Sequence, residues 1–105
     1  MPSIFNLACN LEKLKRYQES QHWFKHAIQV NQNWPDALYG LTLVSLRLNQ
    51  PENAVTYIEK AFKIQGVNAT DHIKYVLALS YRENFQWEKA MTAYRPIMKN
   101  ESTIL

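Results

Sequence analysis

The chain has 105 residues, a formal net charge of +3 and a hydrophobic fraction of 47%. That length fits one small domain, and that apolar content argues against a disordered chain. Two Gly and four Pro are too few for a many-turned β sandwich, and a single cysteine, Cys9, rules out an internal disulfide and a cysteine-rich secreted scaffold.

Charge is spread along the chain. Lys13, Lys15 and Arg16 form the only local cluster, thinner than a nucleic-acid footprint requires. No basic-then-apolar signal layout opens the sequence. The most apolar run, Ala37–Leu48, is too short to span a bilayer and is interrupted by Arg47. These features predict an intracellular, cytoplasmic protein without membrane insertion. The sequons at Asn68 and Asn100 are read as chance occurrences.

The first predicted helix covers Pro2–Leu14, with Ile4, Leu7, Ala8, Leu11 and Leu14 on one face. Pro2 suits a first turn, and the basic cluster falls at the C-terminal end, where cations complement the helix dipole. A second helix, Gln18–Asn31, turns Ser20, Phe24, Ala27, Ile28 and Val30 to one side. The connection is short, so the two form an antiparallel hairpin. Pro35 and Asp36 start a third helix, Pro35–Leu48, apolar nearly all round and therefore covered on more than one side.

The fourth helix, Gln50–Ile64, carries Ala54, Ile58, Ala61 and Phe62, and Gly66 ends it with a left-handed cap. Thr70 caps a fifth helix, Asp71–Arg82, with Ile73, Leu77, Ala78 and Tyr81 inward. Asn84 is the expected positive-φ turn residue. The sixth helix starts near Gln86 and carries Trp87, Ala90, Met91, Tyr94 and Met98. Pro96 predicts a kink or an early stop, and Asn100–Leu105 a frayed tail. The whole, 1–105, reads as a single domain with repeats of about 1–34, 35–70 and 71–105.

Three hairpins recur at a near-constant interval. Phe24 to Ile58 is 34 residues and Ile58 to Tyr94 is 36; Leu7 to Leu41 is 34 and Leu41 to Leu77 is 36. The two extra residues fall in the Gly66–Ala69 loop. A 34-residue helix–turn–helix period resembles the tetratricopeptide repeat family. Leu7-Ala8, Leu41-Thr42 and Leu77-Ala78 stand at the family's Leu-Gly pair, and Tyr81 at its following aromatic. Tyr17 and Trp87 stand at the aromatic that opens the second helix. Ser20, Ala54 and Ala90 match its first small residue, Phe24, Ile58 and Tyr94 its large one, and Ala27 and Ala61 its second small one. Glycine is missing from the Leu-Gly pair, Gln32 and Gly66 replace the closing proline, and Ile97 replaces a small residue. The resemblance implies an all-α fold, a right-handed α-solenoid of three antiparallel helix hairpins.

Such a solenoid builds its concave surface from the first helix of each hairpin. One outward row is Phe5, Tyr39 and Tyr75, and a second is Cys9, Leu43 and Leu79. Asn6, Gly40 and Val76 lie beside them, and Glu12, Leu46 and Arg82 at the far edge. The groove is apolar and aromatic, which fits a peptide or amphipathic helix of a protein partner; the alternative is a structural segment of a larger assembly whose groove is filled internally. Family members that hold the acidic tails of heat-shock chaperones use Lys, Asn and Arg where this chain has Phe5, Cys9, Gly40, His72 and Val76, so no carboxylate clamp is expected. RNA binding is a lesser reading, because the Cys9/Leu43/Leu79 row offers no base-reading groups.

His22 and His26 are spaced to share a metal, but no third ligand or zinc-hydrolase Glu accompanies them, and both are expected on the outer face. No convergent acidic pair or Gly-rich phosphate loop points to catalysis, so neither enzyme activity nor a metal or other cofactor is expected. Met91, Ile97 and Met98 on the outer side of the last hairpin imply that this end is covered by self-association or by further repeats.

Overall fold

The computed structural model describes residues 3–66 and 69–102, with side chains as far as Arg95. Six helices follow in order: α1 (Ile4–Lys13), α2 (Tyr17–Val30), α3 (Pro35–Arg47), α4 (Pro51–Gln65), α5 (Asp71–Glu83) and α6 (Trp87–Ser102). Two starts are made by side-chain caps. Ser3 accepts from the Asn6 N–H, and Thr70 from the Ile73 N–H. Pro35 and Pro51 open α3 and α4, where a missing N–H costs nothing. Pro2 lies outside the described residues.

The three turns inside hairpins share one construction. Arg16, Gln50 and Gln86 each donate a backbone bond to the carbonyl five residues back, on Leu11, Ser45 and Tyr81. Lys15, Asn49 and Phe85 donate to the carbonyl three back and take φ of 62°, 59° and 60°. This is the Schellman closure, built here on non-glycine residues. The positive φ therefore falls on Phe85, not on Asn84, which sits at φ −95°. The closing bonds fix the left-handed residue one place beyond the helix cap. Gly66 does end α4, with its N–H on the Phe62 carbonyl, but at φ 56° and ψ −128° it is not the expected left-handed cap; the conformation is one that only glycine enters freely.

Consecutive helices pack against each other throughout, α1 also meets α3, and α3 also meets α5. Among the described residues α2 does not reach α4, nor α4 reach α6. The odd helices thus line one side and the even helices are splayed on the other, giving an elongated α-solenoid of 48 × 26 × 22 Å. Its core forms two clusters. Ala8, Phe24, Leu41 and Val44 bind the first hairpin to the second, while Leu38, Ile58, Ala61, Ile73 and Leu77 bind the second to the third. Each large side chain so buried contributes about 1.5–3 kcal/mol. The repeated small residues are where helices approach closely: Ala8, Ser20, Thr42, Ala54, Ala61 and Ala78 have no exposed surface. Ser20 also locks its hairpin, its hydroxyl donating to the Ala8 carbonyl at 2.7 Å.

Several expectations are corrected. Val30 is exposed; Gln21 is buried instead, donating to the Ser45 hydroxyl and to Gln50 Oε1 at 2.8 Å. An even helix touches both its own hairpin and the next, so its buried arc extends beyond one apolar stripe. Leu7 on α1, Leu14 at its C-cap and Ile64 on α4 are exposed despite helical spacing. The early stop at Pro96 does not occur: α6 continues through it to Ser102. One lost backbone bond is tolerated when the turns on either side persist. Of the tail expected to fray, 100–102 are helical and 103–105 lie outside the described residues. Met91 is exposed as expected; the side chains of Ile97 and Met98 lie outside the described set.

Candidate functional site

The register that stacks α1, α3 and α5 carries Phe5, Tyr39 and Tyr75 along one side. Phe5 meets the Phe24 ring edge-on at 5.9 Å and stacks on Trp34 at 5.0 Å with 27° between planes. Tyr75 meets Tyr94 edge-on at 6.0 Å. Each of these two aromatics leans on the large residue of its own hairpin's second helix. Tyr39 is half-buried; burial, then the Glu12 carboxylate, pushes its phenol above its ordinary value.

Two cavities adjoin along this side. The first, of about 250 Å³, is lined by Phe5, Cys9, Tyr39 and Leu43, with Phe24 and Gly40 in its wall. The second, of about 360 Å³, is bounded by Leu43, Leu46, Leu79 and Pro51, with Arg47 and Glu83. Leu43 belongs to both. Five of the six expected residues are therefore brought together. Tyr75 lines neither cavity and stands half exposed beside Tyr94.

Two residues expected beside the groove sit differently. Val76 is buried in the second core cluster. Gly40 is a close-approach point: a Cβ there would lie 2.5 Å from Phe24 Cζ. The groove also carries charge that composition did not reveal. Glu12 and Asp36 line the first cavity, and neither forms an ion pair among the described residues, where the pairs are Arg16–Glu19 and Arg82–Glu83. Burial, then Glu12, pushes the Cys9 thiol up, which keeps it protonated and a poor nucleophile.

Trp34 and Asp36 went unrecognised as site residues because both read as helix-start punctuation; the signal was the placement of an aromatic and an acid at the mouth between two hairpins. His22 and His26 are exposed and lie edge-on to Trp23, at 5.1 and 5.9 Å. No group of three His, Cys, Asp or Glu gathers to hold a metal among the described residues.

Residues 2–33 and 35–68 each match the family model described as tetratricopeptide repeat, together covering more than half of the chain. The third hairpin lies outside both matches. Repeats of this family generally mediate protein–protein interaction and are typically non-catalytic scaffolds. A comparison with curated proteins finds no match.

Proposed function

Because the chain belongs to the tetratricopeptide repeat family, we propose that the groove along α1, α3 and α5 holds a peptide or amphipathic helix of a partner protein, without chemistry of its own. The observation that carries this is the joining of two apolar cavities through Leu43. Apolar side chains spaced one or two helical turns apart would seat in them. Phe5, Cys9, Tyr39, Leu43 and Leu79 form the walls, and Tyr75 extends the surface past Leu79. Glu12 and Asp36 favour a basic residue beside the first anchor. The same two carboxylates repel an acidic chaperone tail and the phosphates of RNA.

A second reading, a groove filled from within, is favoured at one end only, where Trp34 lies over Phe5. We treat 1–105 as one domain acting in the cytoplasm, a setting with which the lone Cys9 agrees. No helix among the described residues is long and apolar enough to cross a membrane. The exposed Met91 end is assigned to self-association or further repeats.

Crosslinking with partner capture tests the reading. Tyr39→Ala/Tyr75→Ala and Leu43→Glu should each lose the same captured proteins while keeping the helical circular dichroism of the wild type. Capture unchanged in both variants would overturn it.

A further inference from the structure

The largest cavity described lies on the other side of the molecule, where α4 and α6 are splayed over α5. It measures about 500 Å³, the size of a small-ligand pocket. Phe62, Leu77 and Ala93 give it apolar walls, and Lys74, Lys89 and Glu88 stand around them. The repeat explains why it is open. Thirty-six residues before Ala93 is Tyr57 on α4, half-buried and packed against both core clusters. One seam of the solenoid thus carries a phenol at this register, and the next carries a methyl group. Lys74 likewise stands where the preceding hairpin has Leu38, which is buried.

Tyr81 does not fill the space left by Ala93. Its hydroxyl is held at the side, donating to Glu59 Oε2 at 2.6 Å, and Lys89 Nζ lies 5.8 Å from its ring centre. Glu59 is thereby engaged. Lys74 and Lys89 form no ion pair among the described residues. Two ammonium groups against the single carboxylate of Glu88 leave the wall net positive.

We propose that this outer cavity is a docking site for an aromatic side chain of a protein partner, tyrosine above all, carried next to an acidic residue. The ring takes the place that Tyr57 occupies in the preceding seam, and the acidic neighbour pairs with Lys74 or Lys89. The site is separate from the groove along α1, α3 and α5, so one partner can occupy each.

The test is a titration of the full chain, labelled with ¹⁵N, followed by NMR. The probes are the capped dipeptides acetyl-Glu-Tyr-amide, acetyl-Glu-Ala-amide and acetyl-Lys-Tyr-amide. The first should shift the amides of Leu77, Tyr81 and Ala93 saturably, the second should not, and the third should bind roughly threefold more weakly, the weight of about one exposed ion pair. Ala93→Tyr should abolish the shifts without lowering the thermal midpoint, because the chain supplies its own ring. Lys74→Gln/Lys89→Gln should remove the preference for Glu-Tyr over Lys-Tyr. The proposal is overturned by no saturable shift, by equal binding of the Ala dipeptide, by shifts centred on Tyr39 and Leu43, or by binding that survives in Ala93→Tyr. Loss of folding in Ala93→Tyr would also overturn it, since the cavity would then not accept a phenol.

Discussion

Gly40→Ala adds one methyl group to the middle of α3 and tests how tightly the first two hairpins are joined. The new Cβ would stand 2.5 Å from Phe24 Cζ, 2.6 Å from Cε1 and 3.1 Å from Cε2. The Phe24 ring cannot swing clear, because it is wholly buried with the Phe5 edge against it. Overpacking of this kind costs about 1–3 kcal/mol. Alanine returns about 1 kcal/mol of helix propensity relative to glycine. The contact lies at the severe end, so the net loss is about 1–2 kcal/mol, a fall in thermal midpoint of roughly 5–10 °C for a chain of this size. Urea unfolding followed by circular dichroism measures it. The companion variant Phe24→Leu/Gly40→Ala isolates the cause. Shortening the ring removes the clashing atoms, so the double variant should be less unstable than the two single losses added together. Gly40→Ala as stable as the wild type, or strictly additive losses, would refute the reasoning.

Four further outcomes follow from the same geometry. Ala61→Leu overfills a close-approach point with no exposed surface and should lose about 1–3 kcal/mol in urea unfolding. Ser20→Ala removes the buried bond to the Ala8 carbonyl and should cost about 1 kcal/mol by the same assay. Phe85→Gly relieves a left-handed backbone beneath a ring that is 78% exposed. It should raise stability by about 0.5 kcal/mol after the added chain entropy of glycine. The Tyr81 phenol is pushed up by burial and then by its bond to Glu59. Its contribution is complete below the ordinary tyrosine value near 10 and is lost as pH rises from there toward the higher folded value. Tyr81→Phe should therefore flatten the alkaline fall in stability and remove the last phenol to ionise in an ultraviolet titration.

Most of the fold was legible because the repeat reports itself three times. Ala8, Thr42 and Ala78 align by the repeat interval alone, and they share the same zero exposure. The misreadings fall where a residue's fate is set by a neighbouring element. Val30 matches the apolar stripe of α2 but is left exposed at the last position of that helix, whereas polar Gln21 is covered, its amide donating to Ser45 and Gln50. Asn84 has the right chemistry for positive φ, yet the closing bonds of the turn assign that conformation to Phe85. In the candidate groove, the repeat register named five residues that line the two cavities and a sixth, Tyr75, that lines neither. It did not reveal that Trp34 turns back onto Phe5, since stacking between a loop and a helix leaves no period in the sequence.

The third hairpin departs from the chain's own pattern at three positions that line one cavity. Ala93 replaces the seam-filling Tyr57, Lys74 replaces Leu38, and Tyr81 replaces Ser45. The void from Ala93 gives Lys74 and Lys89 an edge to border, and Tyr81 finds Glu59 one helix back. The family match ends at residue 68, before all three. The first two hairpins keep the regular packing that builds the stack, and the third departs from it at the seam where α6 and α4 flank α5. The seam stays joined by the packing of α4 on α5, which Ile58, Ala61, Ile73 and Leu77 fill.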